Sequence, residues 1–202
     1  MNTTITVAHR NHAKYAREVC TLIEEAAKIR GTGIAKRDVQ YIRNKMIQGN
    51  AVIALSGDKL AGFCYIETWE HERYIAFSGL IVHSDFRKLG IARQIKRQAF
   101  ELARKKFPAS KIFLITTSLA VMKIASELGY EPVTFSELPQ EEMFWKGCQS
   151  CPNYDILTRT NRAFCLCTGM LFEPTEGEPI RKMTTDDHLT SDLSNMSTSQ
   201  EA

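Results

Sequence analysis

Residues 77–107, F-S-G-L-I-V-H-S-D-F-R-K-L-G-I-A-R-Q-I-K-R-Q-A-F-E-L-A-R-K-K-F, constrain the fold more than any other stretch. The apolar run Leu80-Ile81-Val82 is short enough for a buried strand and too short for a buried helix. Ile91, Ile95, Ala99, Leu102, Ala103 and Phe107 then recur at helical spacing, with Arg93, Lys96, Arg97, Arg104 and Lys105 on the other face. Between strand and helix lies Arg87-Lys88-Leu89-Gly90-Ile91-Ala92. A strand that turns into a helix through a glycine loop leaves the first helical amides pointing at open space. Together with the helix dipole they make an anion site. Gly90 lets a phosphate approach the backbone, and Ala92 keeps the next turn thin. The alternative is an ordinary strand–loop–helix whose glycine serves only the turn.

The flanking segments extend this unit. Ile5-Thr6-Val7-Ala8 alternates as a first strand. Residues 12–30 put Ala16, Val19, Cys20, Ile23, Ala26 and Ala27 on one helical face, stopped by Gly31-Thr32-Gly33. A second helix over 37–48 turns Val39, Ile42 and Met46 inward. Strands over 51–55 and 60–69 flank the turn Ser56-Gly57-Asp58-Lys59. The polar tip Glu70-His71-Glu72-Arg73 leads into a central strand over 74–82. Beyond the central helix, residues 112–115 read as a buried strand, 119–128 as a helix closed by Gly129, and 130–135 as a strand. This order predicts an α/β layer structure, a mixed, mostly antiparallel sheet with helices on both faces. The last 28 residues hold nine Ser or Thr and almost no large apolar side chain, so 175–202 is expected to be a flexible tail.

The loop Arg87-x-x-Gly90-x-Ala92, with its strand before and helix after, resembles the acyl-CoA pyrophosphate loop of the GNAT acyltransferases, whose pattern is Q/R-x-x-G-x-G/A. The element order is similar to the GNAT fold over roughly the first 135 residues. The resemblance implies an acyl-CoA-dependent N-acyltransferase in which the substrate amine attacks the thioester directly. It implies that Leu80, Ile81, Val82, Arg87, Lys88, Leu89, Gly90, Ile91, Ala92 and Arg93 hold acetyl-CoA or another acyl-CoA such as succinyl-CoA. A backbone N–H near Leu80 to Val82, where GNAT members usually bulge and splay, is the implied oxyanion donor. A carboxylate near the strand centre would take the amine's proton. Glu67 and Glu72 are the candidates, each also readable as a solvated strand-end carboxylate, with His71 and His83 behind them. Many GNAT members carry a Tyr acid four residues ahead of the Gly of an L-G-F or L-G-Y ending. Before Leu128-Gly129-Tyr130 that position is Ala125.

Within that family, Lys111-Ile112-Phe113-Leu114-Ile115-Thr116-Thr117, followed by Glu127-Leu128-Gly129-Tyr130 and Leu138-Pro139, is similar to N-acetylglutamate synthases. Those carry F-V-L-T-T, E-R-G-F and L-P in the same order. Lys36 and Arg37 sit where such enzymes hold substrate carboxylates, and two adjacent cations can grip an amino dicarboxylate. A solvated helix start is the other reading of this pair. The resemblance implies transfer to the α-amino group of a small acidic amino acid such as glutamate, in arginine biosynthesis. This chain departs from those enzymes at Ala76, where they place a Glu, and at Trp145-Lys146-Gly147 after the L-P. The rival readings are an acyltransferase acting on a peptide, protein or polyamine, and a non-catalytic acyl-CoA sensor.

Of six cysteines, Cys20 and Cys64 fall on core faces. The others read Cys148-x2-Cys151, thirteen residues, then Cys165-x-Cys167. A strand over 163–172 would point Cys165 and Cys167 to one side, and the four thiolates would suit a structural Zn²⁺. A disulfide or plain packing are the alternatives, the first disfavoured in the cytoplasm. The organisation expected is a domain over 1–145, a Cys-rich segment over 146–174 that completes the fold, and the tail.

Net charge is +3, but six acids against two bases put −4 on residues 175–202 and leave +7 on the body. That suits a phosphate-bearing ligand without the concentrated, aromatic-interleaved basic surface of a nucleic-acid binder. No apolar run approaches a membrane span, and the N-terminus lacks a basic region followed by an apolar core. The expected setting is cytoplasmic. The expected partners are a small-molecule amine and acyl-CoA, with neither nucleic acid nor membrane, and the expected assembly is a homodimer.

Overall fold

A computed structural model describes residues 3–30 and 37–175. Lys36 and the tail beyond Thr175 lie outside these residues. The elements run β1 (Thr4–Val7), a 3₁₀ turn (Arg10–Tyr15), α1 (Ala16–Arg30), α2 (Val39–Ile47), β2 (Ala51–Ser56), β3 (Lys59–Trp69) and β4 (Tyr74–Val82). They continue with α3 (Ile91–Lys106), β5 (Lys111–Thr116), α4 (Leu119–Glu127), β6 (Glu131–Val133), α5 (Glu142–Lys146), α6 (Tyr154–Arg159) and β7 (Thr168–Phe172). The seven strands form one sheet in the order β1-β2-β3-β4-β5-β7-β6. Every pairing is antiparallel except β4 with β5.

One face of the sheet is covered by α3 and α4, with Ile95 and Ala99 of α3 packed in one cluster with Val52, Ile75 and Ile112. The other carries α1 and α2 over Ile53 and Phe63. At the β5–β7 end, Phe113, Leu171 and Leu157 gather around Trp145, which is 2% exposed and donates its indole N–H to the Pro139 carbonyl at 2.9 Å. Burying an indole of this size contributes on the order of 4–6 kcal/mol before entropy. The short helices α5 and α6 are held by this cluster.

Three expectations need correction. The strand over 163–172 starts only at Thr168, because β5 ends at Thr116, the partner of Thr168. Before it, Asn161 and Arg162 take left-handed φ values of 50° and 63°, and the Thr160 hydroxyl bonds the Phe164 carbonyl. The strand over 130–135 shrinks to three residues, since Thr134 opens a new turn capped by Glu137; Pro132 is tolerated within it because β6 is an edge strand. Lys96 and Arg104, placed by periodicity on the outer face of α3, are 3% and 8% exposed. Arg104 satisfies the Pro108 carbonyl.

Lys96 sits with its ammonium 4.7 Å from the Phe77 ring centroid and 6.0 Å from that of Tyr130. No ion pair with a carboxylate is formed there among the described residues. Burial pushes its pKa down to about 8 from 10.5. The unfolded chain therefore binds more protons than the folded one between pH 8 and 10.5, so this group makes stability rise with pH across that window. Below pH 8 the full penalty stands, on the order of 3 kcal/mol. Lys96→Met is expected to raise thermal stability at pH 7 and to flatten the rise above pH 8. Melting curves across pH that show a less stable variant would contradict this.

Candidate active site

The site is organised by a bulge in β4. Tyr65 of β3 pairs with Ser78 and Phe63 with Ile81, so Gly79 and Leu80 together oppose Cys64. Gly79 has φ +65°, and a Cβ there would meet the Tyr65 ring at 2.6 Å, so only glycine fits. The extra residue reverses the facing of side chains. Ala76 and Ser78 point to the face that carries α1 and α2, whereas Leu80 and Val82 point to the α3–α4 face. The parallel ladder to β5 covers only Tyr74–Lys111, Ile75–Ile112 and Ala76–Phe113. Beyond it the two strands are unpaired, and the sheet opens beside the bulge.

On the α3–α4 face lies a cavity of about 430 Å³. Leu80, Val82, Arg87, Lys88, Gly90, Ile91, Ala92 and Arg93 line it, eight of the ten residues expected to hold acyl-CoA. Ile81 does not, because the strand turns it into the opposite core. Leu89 is 56% exposed, outside the cavity. Gly90 caps α3 with φ +74°, and nothing but Gln94 Nε2, at 3.9 Å, lies within 4 Å of a Cβ built there. The first turn of α3 carries no acid, and its amides face the cavity mouth unopposed by a capping side chain. Arg93 is tied to Glu127 of α4 at 2.8 Å, which fixes α3 against α4. The far wall is α4 and its N-cap, with Ser118, Ala120, Val121, Lys123 and Ile124. These five were missed from sequence, since only the packing of α4 beside α3 brings them there.

On the opposite face a second cavity, of about 460 Å³, is walled by β3, β4, α2 and α5. Glu67 lines it. Its carboxylate accepts a hydrogen bond from Ser78 Oγ at 2.7 Å and another from the Tyr41 hydroxyl. Burial and the adjacent Glu67 hold the Tyr41 hydroxyl well above its ordinary pKa, so it remains a donor. Arg37 lines the same cavity and donates from Nε to the Tyr65 hydroxyl. Lys45 donates to the Ile66 carbonyl at 3.0 Å and lies 5.2 Å from the Tyr41 ring centroid, its pKa lowered by burial. Tyr41, Ser78 and Trp69 carried no sequence signal.

Glu72 is not brought to this site. Glu70, His71 and Glu72 all adopt left-handed φ, 48°, 53° and 68°, and the turn they form carries Glu72 and His71 into solvent. His83 caps the turn after β4 by accepting from Asp85 N–H. Ala125, where a Tyr acid was sought, is 1% exposed in the α3–α4 core.

Cys20 and Cys64 are core residues, as expected. Cys148, Cys151, Cys165 and Cys167 line one small cavity, and Cys148 also lines the cavity of Glu67. All four are free thiols. Burial and mutual repulsion push Cys148 up to about 11 and Cys167 to about 12. The expected zinc ligands are therefore neighbours, but they do not form a preset metal site: among the described residues, no three His, Cys, Asp or Glu side chains are arranged to hold a metal ion. No helix among the described residues is long and apolar enough to cross a membrane.

The glycine loop, the α3 N-terminus and the opened sheet point to a class, and residues 32–130 match the acetyltransferase (GNAT) family, whose members are acyl-CoA-dependent N-acetyltransferases. The chain is similar in structure to N-acetylglutamate synthase from Neisseria gonorrhoeae, complexed with coenzyme A and N-acetyl-glutamate, with 17% identity and a TM-score of 0.61 over 87% of this chain. It spans only 36% of the length of that synthase. It is also similar to Rv2747 from Mycobacterium tuberculosis, in complex with CoA and NLQ, at 12% identity and TM-score 0.59, covering 84% of this chain and 98% of that one. Diaminobutyrate acetyltransferase EctA from Paenibacillus lautus, in complex with L-2,4-diaminobutyric acid and coenzyme A, gives 11%, 0.55, 86% and 95%. Identities this low establish the shared fold. No curated protein matches the sequence.

Proposed function

We propose that this chain transfers an acetyl group from acetyl-CoA to the α-amino group of a small acidic amino acid, glutamate or a close analogue. The observation that carries this reading is the reversal at Gly79–Leu80. It assigns one face of β4 to a groove ending at the α3 N-terminus and the other to the pocket of Glu67, with the sheet open between β4 and β5. An extended phosphate-bearing thioester suits the groove, and an amine suits the pocket.

Acetyl-CoA supplies an activated thioester carbonyl. The chain's own residues do the rest. The α3 amides and Arg87 hold the phosphates, and a backbone N–H beside the bulge meets the developing oxyanion in this reading. Glu67 takes the proton of the attacking amine, directly or through one water, while Ser78 and Tyr41 fix the carboxylate. Ala125 offers no proton where many family members carry the Tyr acid, so the thiolate leaves unassisted or takes its proton from another group.

Arg37 at the pocket wall is the carboxylate anchor of this reading, with Lys36 beside it in sequence. Arg37→Ala is expected to raise the KM for the acceptor about 10- to 100-fold, the worth of one charge-assisted hydrogen bond, with kcat little changed. Initial rates against acceptor concentration decide it. An unchanged KM for acidic amino acids, or turnover of polyamines or peptides alone, would move the assignment to another amine.

A further inference from the structure

Four thiols converge at a place that acyl transfer does not use. Cys148 and Cys151 follow α5, Cys165 and Cys167 precede β7, and all four face a cavity of about 20 Å³ beside Ile115 and Trp145. A space of that size admits one water-sized body and no organic ligand. Phe164 and Leu166 are 60% and 64% exposed, whereas Cys165 and Cys167 between and after them are half-buried and line the cavity. Cys165 Sγ donates to the Asn153 carbonyl at 3.7 Å.

The segment these thiols close has little else to hold it. Residues 147–167 contain one six-residue helix, and two of their large apolar side chains are in solvent. Leu157 and Tyr154 are their main contributions to the Trp145 cluster. So small a core does not offset the entropy of ordering about twenty residues.

We propose that Cys148, Cys151, Cys165 and Cys167 together bind one Zn²⁺, and that this ion braces the wall of the acceptor pocket. The thiols as placed do not meet at a common point. Binding draws them together by rotation about their Cα–Cβ bonds to Zn–S distances of about 2.3 Å, with the thiol protons released to solvent. Four sulfur ligands fill the tetrahedron and leave no position for water, so the ion is structural. Cys148 and Ile115 line both this cavity and the pocket of Glu67, so the brace acts on the acceptor side and leaves the α3 groove untouched. That coupling rests on the acyl-transfer reading; the metal site does not.

The test is elemental analysis of the whole chain purified without chelator, together with Co²⁺ exchange and thiol alkylation. The expected result is about one Zn per chain, the visible absorption of tetrahedral thiolate-bound cobalt after exchange, and four thiols that react only once a chelator is added. Cys151→Ser and Cys167→Ser should lose the ion, whereas Cys20→Ser, in the α1 core, should keep it. Removing the metal should raise the acceptor KM and leave acyl-CoA affinity, read by calorimetry, unchanged. Metal-free protein whose four thiols alkylate freely would overturn the proposal in favour of packing. A chain lighter by two or four hydrogens, with no metal, would overturn it in favour of disulfides. Both readings are made on the unsubstituted chain, so a variant that fails to fold does not blunt them.

Discussion

Replacing Gly90 with Glu is expected to remove acyl-CoA binding while leaving the fold in place. The backbone there has φ +74°, a conformation that costs a non-glycine residue on the order of 1–2 kcal/mol. That is a small part of a typical domain's stability. Space is not the obstacle, since only Gln94 comes within 4 Å of the added Cβ. The obstacle is charge: a carboxylate would occupy the α3 N-terminus that the pyrophosphate needs, using its amides and repelling the ligand. Affinity should fall on the order of 100-fold or more. Gly90→Ala carries the same backbone strain without the charge and should lose far less. Titration calorimetry on both variants separates the two effects, and unchanged affinity in Gly90→Glu would remove the groove from the active site.

Glu67→Gln is expected to lower kcat by roughly 10²- to 10⁴-fold, the range for losing a general base, with acyl-CoA affinity unchanged. The amide keeps the size of the side chain and an acceptor for Ser78 or Tyr41, so the pocket should hold its shape. The Tyr41 hydroxyl, now freed of the carboxylate charge, should ionise at a lower pH, which an ultraviolet titration reads independently of turnover. Wild-type kcat in this variant would mean that the amine loses its proton elsewhere.

What could be read from the residues and what could not divides along a physical line. The loop Arg87 to Ala92, β4 and α3 were legible because their signals are local: a short apolar run, a glycine turn and one amphipathic period. Eight of the ten residues drawn from that loop and strand indeed face one cavity. Ile81 and Leu89 fell outside because a motif gives positions but not facing. The bulge set that facing, and a one-residue insertion reverses every side chain after it. The family resemblance implied a bulge near Leu80 to Val82, but its only trace in the residues themselves is Gly79, between Ser78 and Leu80.

The pocket was less legible still. Glu67 and Glu72 looked alike as strand-end carboxylates. They were separated by three left-handed residues in one turn and by the long-range approach of Tyr41 on α2. Likewise nothing in the order of the chain says that β7, last in sequence, inserts between β5 and β6. That insertion brings Cys165 and Cys167 back to Cys148 and Cys151.

The most direct measurement is the release of free CoA thiol from acetyl-CoA, followed across amino acids, polyamines and peptides, with the acetylated product identified by mass. Glutamate or a close acidic analogue should release thiol and gain one acetyl group on its α-nitrogen in equal amounts. Glu67→Gln and Gly90→Glu should each suppress that signal. Thiol release with polyamines or peptides alone, or bound acetyl-CoA with no release for any amine, would contradict the assignment of the pocket to an amino-acid acceptor.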